Sequence, residues 1–207
     1  MYGKDEKKKM LDGRLYSPRE DAALKEDERR CRRLVRAYNE TTEEQAAERR
    51  KLLEELLGGS HEKCRFEPPV HFDFGCHTYI GRNFYANFDC IILDVNTVTI
   101  GDNVLFGPRV SVFTAGHPID PVIRGEALQY GYPVVIGNNV WVGGNTVINP
   151  GVTIGDNTVI GSGSVVTKDI PPDVVAAGNP CRVIRPITAQ DREYWQKQKE
   201  AYLATDD

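Results

Sequence analysis

The stretch VVIGNNVWVGGNTVINPGVTIGDNTVIGSGSVVTKDI, Val134 to Ile170, decides the fold. Read in sixes it gives Ile136-Gly137, Val142-Gly143, Ile148-Asn149, Ile154-Gly155, Ile160-Gly161 and Val166-Thr167. A second phase runs two residues earlier, through Val134, Val140, Thr146, Val152, Thr158, Ser164 and Ile170. An α-helix repeats at about 3.6 residues and a lone strand at 2, so neither requires this rhythm. A parallel β-helix built from hexapeptides does: each short strand ends in a tight corner, where Gly or Asn tolerates positive φ. Three hexads make one triangular turn, and a flat outer face can pair with copies of itself, so a closed ring of three is expected.

Outward from this stretch the rhythm continues at Ile80-Gly81, Ile100-Gly101, Phe106-Gly107 and Val112. Ile80 to Ile100 is not a multiple of six, which predicts a slip of two residues around Asp94–Thr97. Between residues 113 and 133 the pattern disappears, and the segment reads as a loop thrown out of the coil. Long loops of this kind in compact domains are usually functional. The reading is mainly β: a left-handed parallel β-helix over 61–187, with an N-terminal helical segment over 1–60 and a short C-terminal helix over 188–207. Residues 1–13 are expected to fray. Ser17-Pro18-Arg19-Glu20 and Thr41-Thr42-Glu43-Glu44 resemble helix starts, with Leu24, Cys31, Leu34 and Val35 on one face of the first helix. Leu52, Leu53, Leu56 and Leu57 end the second, stopped by Gly58-Gly59. Thr188 is the expected N-cap of the last helix.

The chain has 207 residues and a net charge of −4, so no positive excess points to nucleic acid. No apolar run approaches a membrane span and no hydrophobic signal core is present, so a cytoplasmic protein is expected. Five scattered cysteines without a CxxC read as free thiols.

Several blocks closely resemble the maltose/galactoside O-acetyltransferases: residues 83–90 (NFYANFDC), 114–121 (TAGHPIDP), 136–144 (IGNNVWVGG), 148–157, 166–171 and Ala177-Gly178-Asn179-Pro180, with Gly13-Arg14-Leu15-Tyr16 at the N-terminus. The residues around Asp89-Cys90 and Ile119-Asp120-Pro121 resemble the maltose branch more. The resemblance implies a homotrimer with active sites between subunits, acetyl-coenzyme A as donor, a sugar hydroxyl as acceptor and no metal. It assigns the catalytic base to His117 and sugar contacts to Asp73, Tyr85, Asn87 and Asp94. It assigns coenzyme A contacts to Gly144, Ser162, Thr167, Lys168, Arg182 and Arg185.

The residues themselves suit that chemistry. A sugar hydroxyl is a poor nucleophile at neutral pH and needs a positioned base, and His117 lies in the one loop that breaks the coil. Asn87 could hydrogen-bond the reacting centre, or serve only as a corner residue. Trp141 offers a flat wall to the pantetheine arm. A backbone N–H near Gly143-Gly144 could meet the charge that develops on the thioester oxygen. Lys168, Arg182 and Arg185 are the cations best placed for phosphate, though each could be a solvated charge. No Cys or Ser stands beside His117 as an acyl acceptor, which favours direct transfer in a ternary complex. His71 and His77, six apart, could share a face. The rival readings are a γ-carbonic-anhydrase-like metalloenzyme and a non-catalytic trimeric scaffold.

Overall fold

The six-residue rhythm closes into three sheets of parallel strands that wind round one apolar column. The structure is a computed structural model and describes residues 5–19, 21–61 and 63–204. The first face stacks Arg65–Phe66, Tyr85–Ala86, Leu105–Phe106, Trp141–Val142, Val159–Ile160 and Val174–Ala177, finished by the antiparallel strand Arg182–Pro186. The second stacks Val70–Phe72, Cys90–Leu93, Ser111–Phe113, Val147–Ile148 and Val165–Val166. The third stacks Thr78–Ile80, Val98–Ile100, Val134–Ile136 and Thr153–Ile154. The coil makes about six turns, the parallel β-helix that the hexads predict.

Register explains the rhythm. Ile136 pairs with Ile100 and Ile154, Val142 with Phe106 and Ile160, and Ile148 with Val112 and Val166. All are buried, and each side chain contributes roughly 1.5–3 kcal/mol by leaving water. The second phase is buried too. Its polar members are satisfied locally: Thr146 Oγ1 donates to the Gly143 carbonyl and Ser164 Oγ to that of Gly161. At the corner between third and first faces, Asn83, Asn103, Asn139, Asn157 and Asp173 all take positive φ. Each Asn amide donates to the next residue in that stack, at 2.8–3.0 Å.

Helix α1 (Glu6–Leu11) packs beside the coil, while α2 (Ala22–Asn39) and α3 (Ala46–Leu56) cover its open lower end. Leu34, Tyr38, Leu53 and Leu56 join the core of the first turn. Tyr38 Oη donates to the Phe66 carbonyl at 2.7 Å, and Asn39 exchanges two hydrogen bonds with the Val70 backbone.

Three local expectations give way here. Of the segment expected to fray, residues 1–4 lie outside the described residues and Glu6–Leu11 form α1, where Glu6 is buried and accepts from the Ser17 N–H and from Lys9 Nζ. Ser17 therefore caps nothing; α2 starts five residues later, its first N–H groups donating to Asp21, while Glu20 lies outside the described residues. Likewise Thr42 turns its N–H to Gln45, and α3 begins after Gln45 rather than at the threonines. Thr188 does cap the last helix, α5 (Ala189–Leu203), in a reciprocal box with Asp191. All five cysteines are free thiols.

Candidate active site

The corner between second and third faces is where the coil departs from six. Phe72 to Ile80 spans eight residues, and so does Ile92 to Ile100, the inward positions of paired strands. The slip expected once thus occurs in two successive turns, and in the third turn the same corner releases the long loop. These enlargements sit on top of one another. Asp94 accepts from the N–H groups of Phe74, Gly75 and His77 and from Thr78 Oγ1, at 2.9–3.2 Å. One turn up, Thr114 Oγ1 accepts the Asn96 N–H at 2.8 Å. Asn96 Nδ2 donates to the carbonyls of Met10, Leu11 and Gly131, tying α1 and the loop's return to the coil.

The loop has structure of its own. Ala115–Gly116 pairs antiparallel with Tyr130–Gly131, and a Cβ at Gly116 would lie 2.5 Å from the Tyr130 ring. A one-turn helix, α4 (Pro121–Gly125), is capped by Asp120. The register that pairs Gly116 with Tyr130 sets exposed His117 opposite Gln129 when continued by one residue. Gln129 in turn exchanges backbone hydrogen bonds with Tyr16 and accepts from Tyr16 Oη at 3.1 Å. Beneath this ladder lies a cavity of about 180 Å3 walled by Tyr16, Pro18, Leu24, Glu28, Asp73, Phe74, Val95 and Gln129. The Asp73 carboxylate receives no hydrogen bond from any described residue. Burial, then the neighbouring Asp94 and Glu28 charges, push its pKa up to about 6.

The structure distributes the predicted site residues over two edges of the prism. Asp73 and His117 share the enlarged corner, and Thr167 and Lys168 lie exposed at the same corner two turns above the loop. Tyr85 and Trp141 lie on the first face, where Arg65 stacks over the Tyr85 ring at 5.8 Å and Trp141 is 54% exposed. Asn87, Gly144 and Ser162 lie at the corner between first and second faces. Asn87 Oδ1 accepts the Phe88 N–H at 2.8 Å, while the Gly144 N–H has no acceptor among the described residues. Gly107 and Gly144 approach so closely that a Cβ on Gly107 would stand 2.5 Å from Gly144 N. Arg182 and Arg185 lie exposed on the outermost strand of the first face.

One assignment changes and one pairing fails. Asp94, expected to touch sugar, is wholly buried with its carboxylate given to four local donors, so it shapes the corner instead. Arg185, expected to contact coenzyme A, donates to both oxygens of Asp191 at 2.7–2.8 Å. Lys168 and Arg182 have no carboxylate partner among the described residues. His71 points outward from the second face while His77 is buried at the corner, its Nδ1–H donating to the Asp94 carbonyl at 2.8 Å, so they share no face. Among the described residues no group of three or more His, Cys, Asp and Glu side chains could hold a metal ion. Sequence reasoning missed Tyr16, Glu28, Phe74 and Gln129; only for Phe74 was a signal available, the eight-residue step from Phe72 to Ile80. A larger cleft, about 400 Å3, lies at the opposite corner on His61, Lys63 and Arg82, but Asp102 already takes three bonds from Arg82.

A hexad coil with an ejected loop and an N-terminal helical segment defines the hexapeptide-repeat class of proteins. The maltose acetyltransferase hexapeptide capping motif matches residues 9–60, and the six-repeat bacterial transferase hexapeptide matches 133–168. Galactoside O-acetyltransferase of Escherichia coli K12 is 51% identical over 174 residues, 84% of this chain and 86% of that protein. A solved galactoside acetyltransferase in complex with coenzyme A superposes with a TM-score of 0.88 at 46% identity, covering 92% of this chain and 94% of the other. The maltose O-acetyltransferase of Clostridium difficile 630 gives 0.85 at 49% identity, covering 88% and 97%. The chain belongs to the maltose/galactoside O-acetyltransferase family and is an O-acetyltransferase with acetyl-coenzyme A as its co-substrate. That membership displaces the carbonic-anhydrase reading.

Proposed function

We propose that the protein transfers the acetyl group of acetyl-coenzyme A to a hydroxyl of a mono- or disaccharide, in one step within a ternary complex. The observation that carries this reading is the enlarged corner, which sets His117 across from the rim of a cavity sized for a sugar ring. His117 is the general base. It takes the hydroxyl proton as the oxygen attacks the thioester carbonyl, and the departing coenzyme A thiolate takes that proton up. The Gly144 N–H, lacking an acceptor, suits the oxyanion. Ser111 and Thr114, the coil hydroxyls that precede His117, are both buried, and Thr114 Oγ1 is bound to the Asn96 N–H and the Leu93 carbonyl, which supports direct transfer over an acyl-enzyme.

Asp73 and Tyr85 serve the sugar, Asn87 the reacting centre. Trp141, Gly144, Ser162, Thr167, Lys168, Arg182 and Arg185 serve coenzyme A, Arg185 by exchanging Asp191 for phosphate. His117 and Asn87 lie on different edges of one prism. A homotrimer that sets the loop corner of one copy against the first-face edge of the next would complete three identical sites. No helix of the described residues is long and apolar enough to cross a membrane. The test is thiol release from acetyl-coenzyme A with a panel of sugars, with product mass showing one added acetyl group. A covalent acetyl-enzyme trapped in the absence of sugar would contradict direct transfer, and no release with any sugar would contradict the reading as a whole.

A further inference from the structure

The cavity beside the loop has an unbalanced charge. Its walls carry two carboxylates, Asp73 and Glu28, and no Lys, Arg or His. Behind Asp73 stands a third, Asp94, fixed by the corner backbone. The one cation that Asp73 feels is Arg32, which is exposed and already bound to Glu28. A half-buried carboxylate with no donor of its own, and only a cation already shared with another carboxylate, is costly unless something supplies what is missing. A neutral sugar can offer it a hydroxyl proton but leaves the excess charge in place. An ammonium group supplies three donors and the missing charge together.

We propose that the acceptor favoured by this cavity is an amino sugar in its ammonium form, held by Asp73 and Glu28, with a hydroxyl turned toward His117. This rests on the acetyl-transfer reading above and narrows its acceptor. The protonated nitrogen has no lone pair, so the acetyl group goes to oxygen. The ester C–O bond forms as the C–S bond breaks, and the hydroxyl proton passes through His117 to the coenzyme A thiolate. The high proton affinity of Asp73 is what an uncompensated carboxylate shows, and a bound ammonium would hold it ionised.

The test compares glucosamine with glucose, which differ only at the 2-substituent. The expected kcat/KM ratio in favour of glucosamine is about tenfold or more at neutral pH. It should fall several-fold in both Asp73→Asn and Glu28→Gln, and shrink in high salt. The product should carry a hydroxylamine-labile acetyl ester. The ratio is the readout, because a purely structural role for either carboxylate would lower both rates together. Equal or better use of glucose by the unmodified protein, or a ratio that survives both substitutions, overturns the proposal while leaving acetyl transfer to sugars standing. Acetylation of neither sugar, with other sugars accepted, also overturns it. No acetylation of any sugar removes the underlying reading as well.

Discussion

Two side chains at the enlarged corner carry separable consequences. If His117 is the base, His117→Ala should lower turnover by a factor on the order of 10²–10⁴ while coenzyme A binding, read by calorimetry, stays nearly unchanged. Full turnover in that variant would remove His117 from the chemistry. Burial and the nearby carboxylates push the Asp73 pKa up from the ordinary 3.8 to about 6 in the folded state. The folded state therefore holds the proton more tightly than the unfolded one, and the protein loses stability as pH rises from about 4 through 6. Asp73→Asn lacks this penalty. It should be more stable than the parent above pH 6, by on the order of 1–3 kcal/mol, with the gain vanishing below pH 4. Urea unfolding at pH 7.5 and pH 4 checks it; an equal difference at both would mean the shift is absent.

At the scale of elements, the corner is held by very few groups. Asn96 alone joins α1, the returning loop and the coil through three carbonyls. Asn96→Ala should cost about 1–3 kcal/mol and speed hydrogen exchange in residues 6–19 and 115–131 ahead of the rest. Uniform acceleration along the whole chain would contradict this. Ile148→Ala, in the middle of the column between Val112 and Val166, should instead cost about 2–5 kcal/mol and leave the corner no looser than the coil. The coil was legible because every sixth residue meets the same environment, so the pattern repeats until chance is excluded. Two helix starts were not, although Thr188 was: Ser17 looks like a cap until Glu6, brought in by the fold, takes its N–H, and Thr42 until Gln45, three residues on, takes its own. The corner itself was half legible. The excess of two residues between Ile80 and Ile100 stood in the sequence, but Asp94 looked like a free carboxylate because its partners, Phe74 to Thr78, lie a full turn away. Tyr16 and Glu28 carry no periodic mark, and only the docking of the N-terminal segment on the loop brings them to the cavity.

At the scale of the molecule, one chain separates what the proposed chemistry must join. His117 leaves the corner between second and third faces, whereas Asn87 and Gly144 occupy the corner between first and second. The first face also leaves the paired Leu105 and Trp141 exposed side by side, an apolar surface of the kind a second copy would cover. Sedimentation equilibrium should therefore give three times the chain mass; a monomer with full activity would refute the shared site. The sharpest measurement is complementation. Chains carrying His117→Ala and chains carrying Asn87→Ala, each deficient alone, are denatured together in equal amounts and refolded. If each site takes its histidine from one copy and its asparagine from the next, each mixed trimer has one intact site of its three and about a quarter of all sites in the refolded mixture are intact, so acetyl transfer returns to about that fraction of the parental rate. If both residues act within one chain, no mixed trimer contains an intact site, and activity stays at the level of the two separate variants.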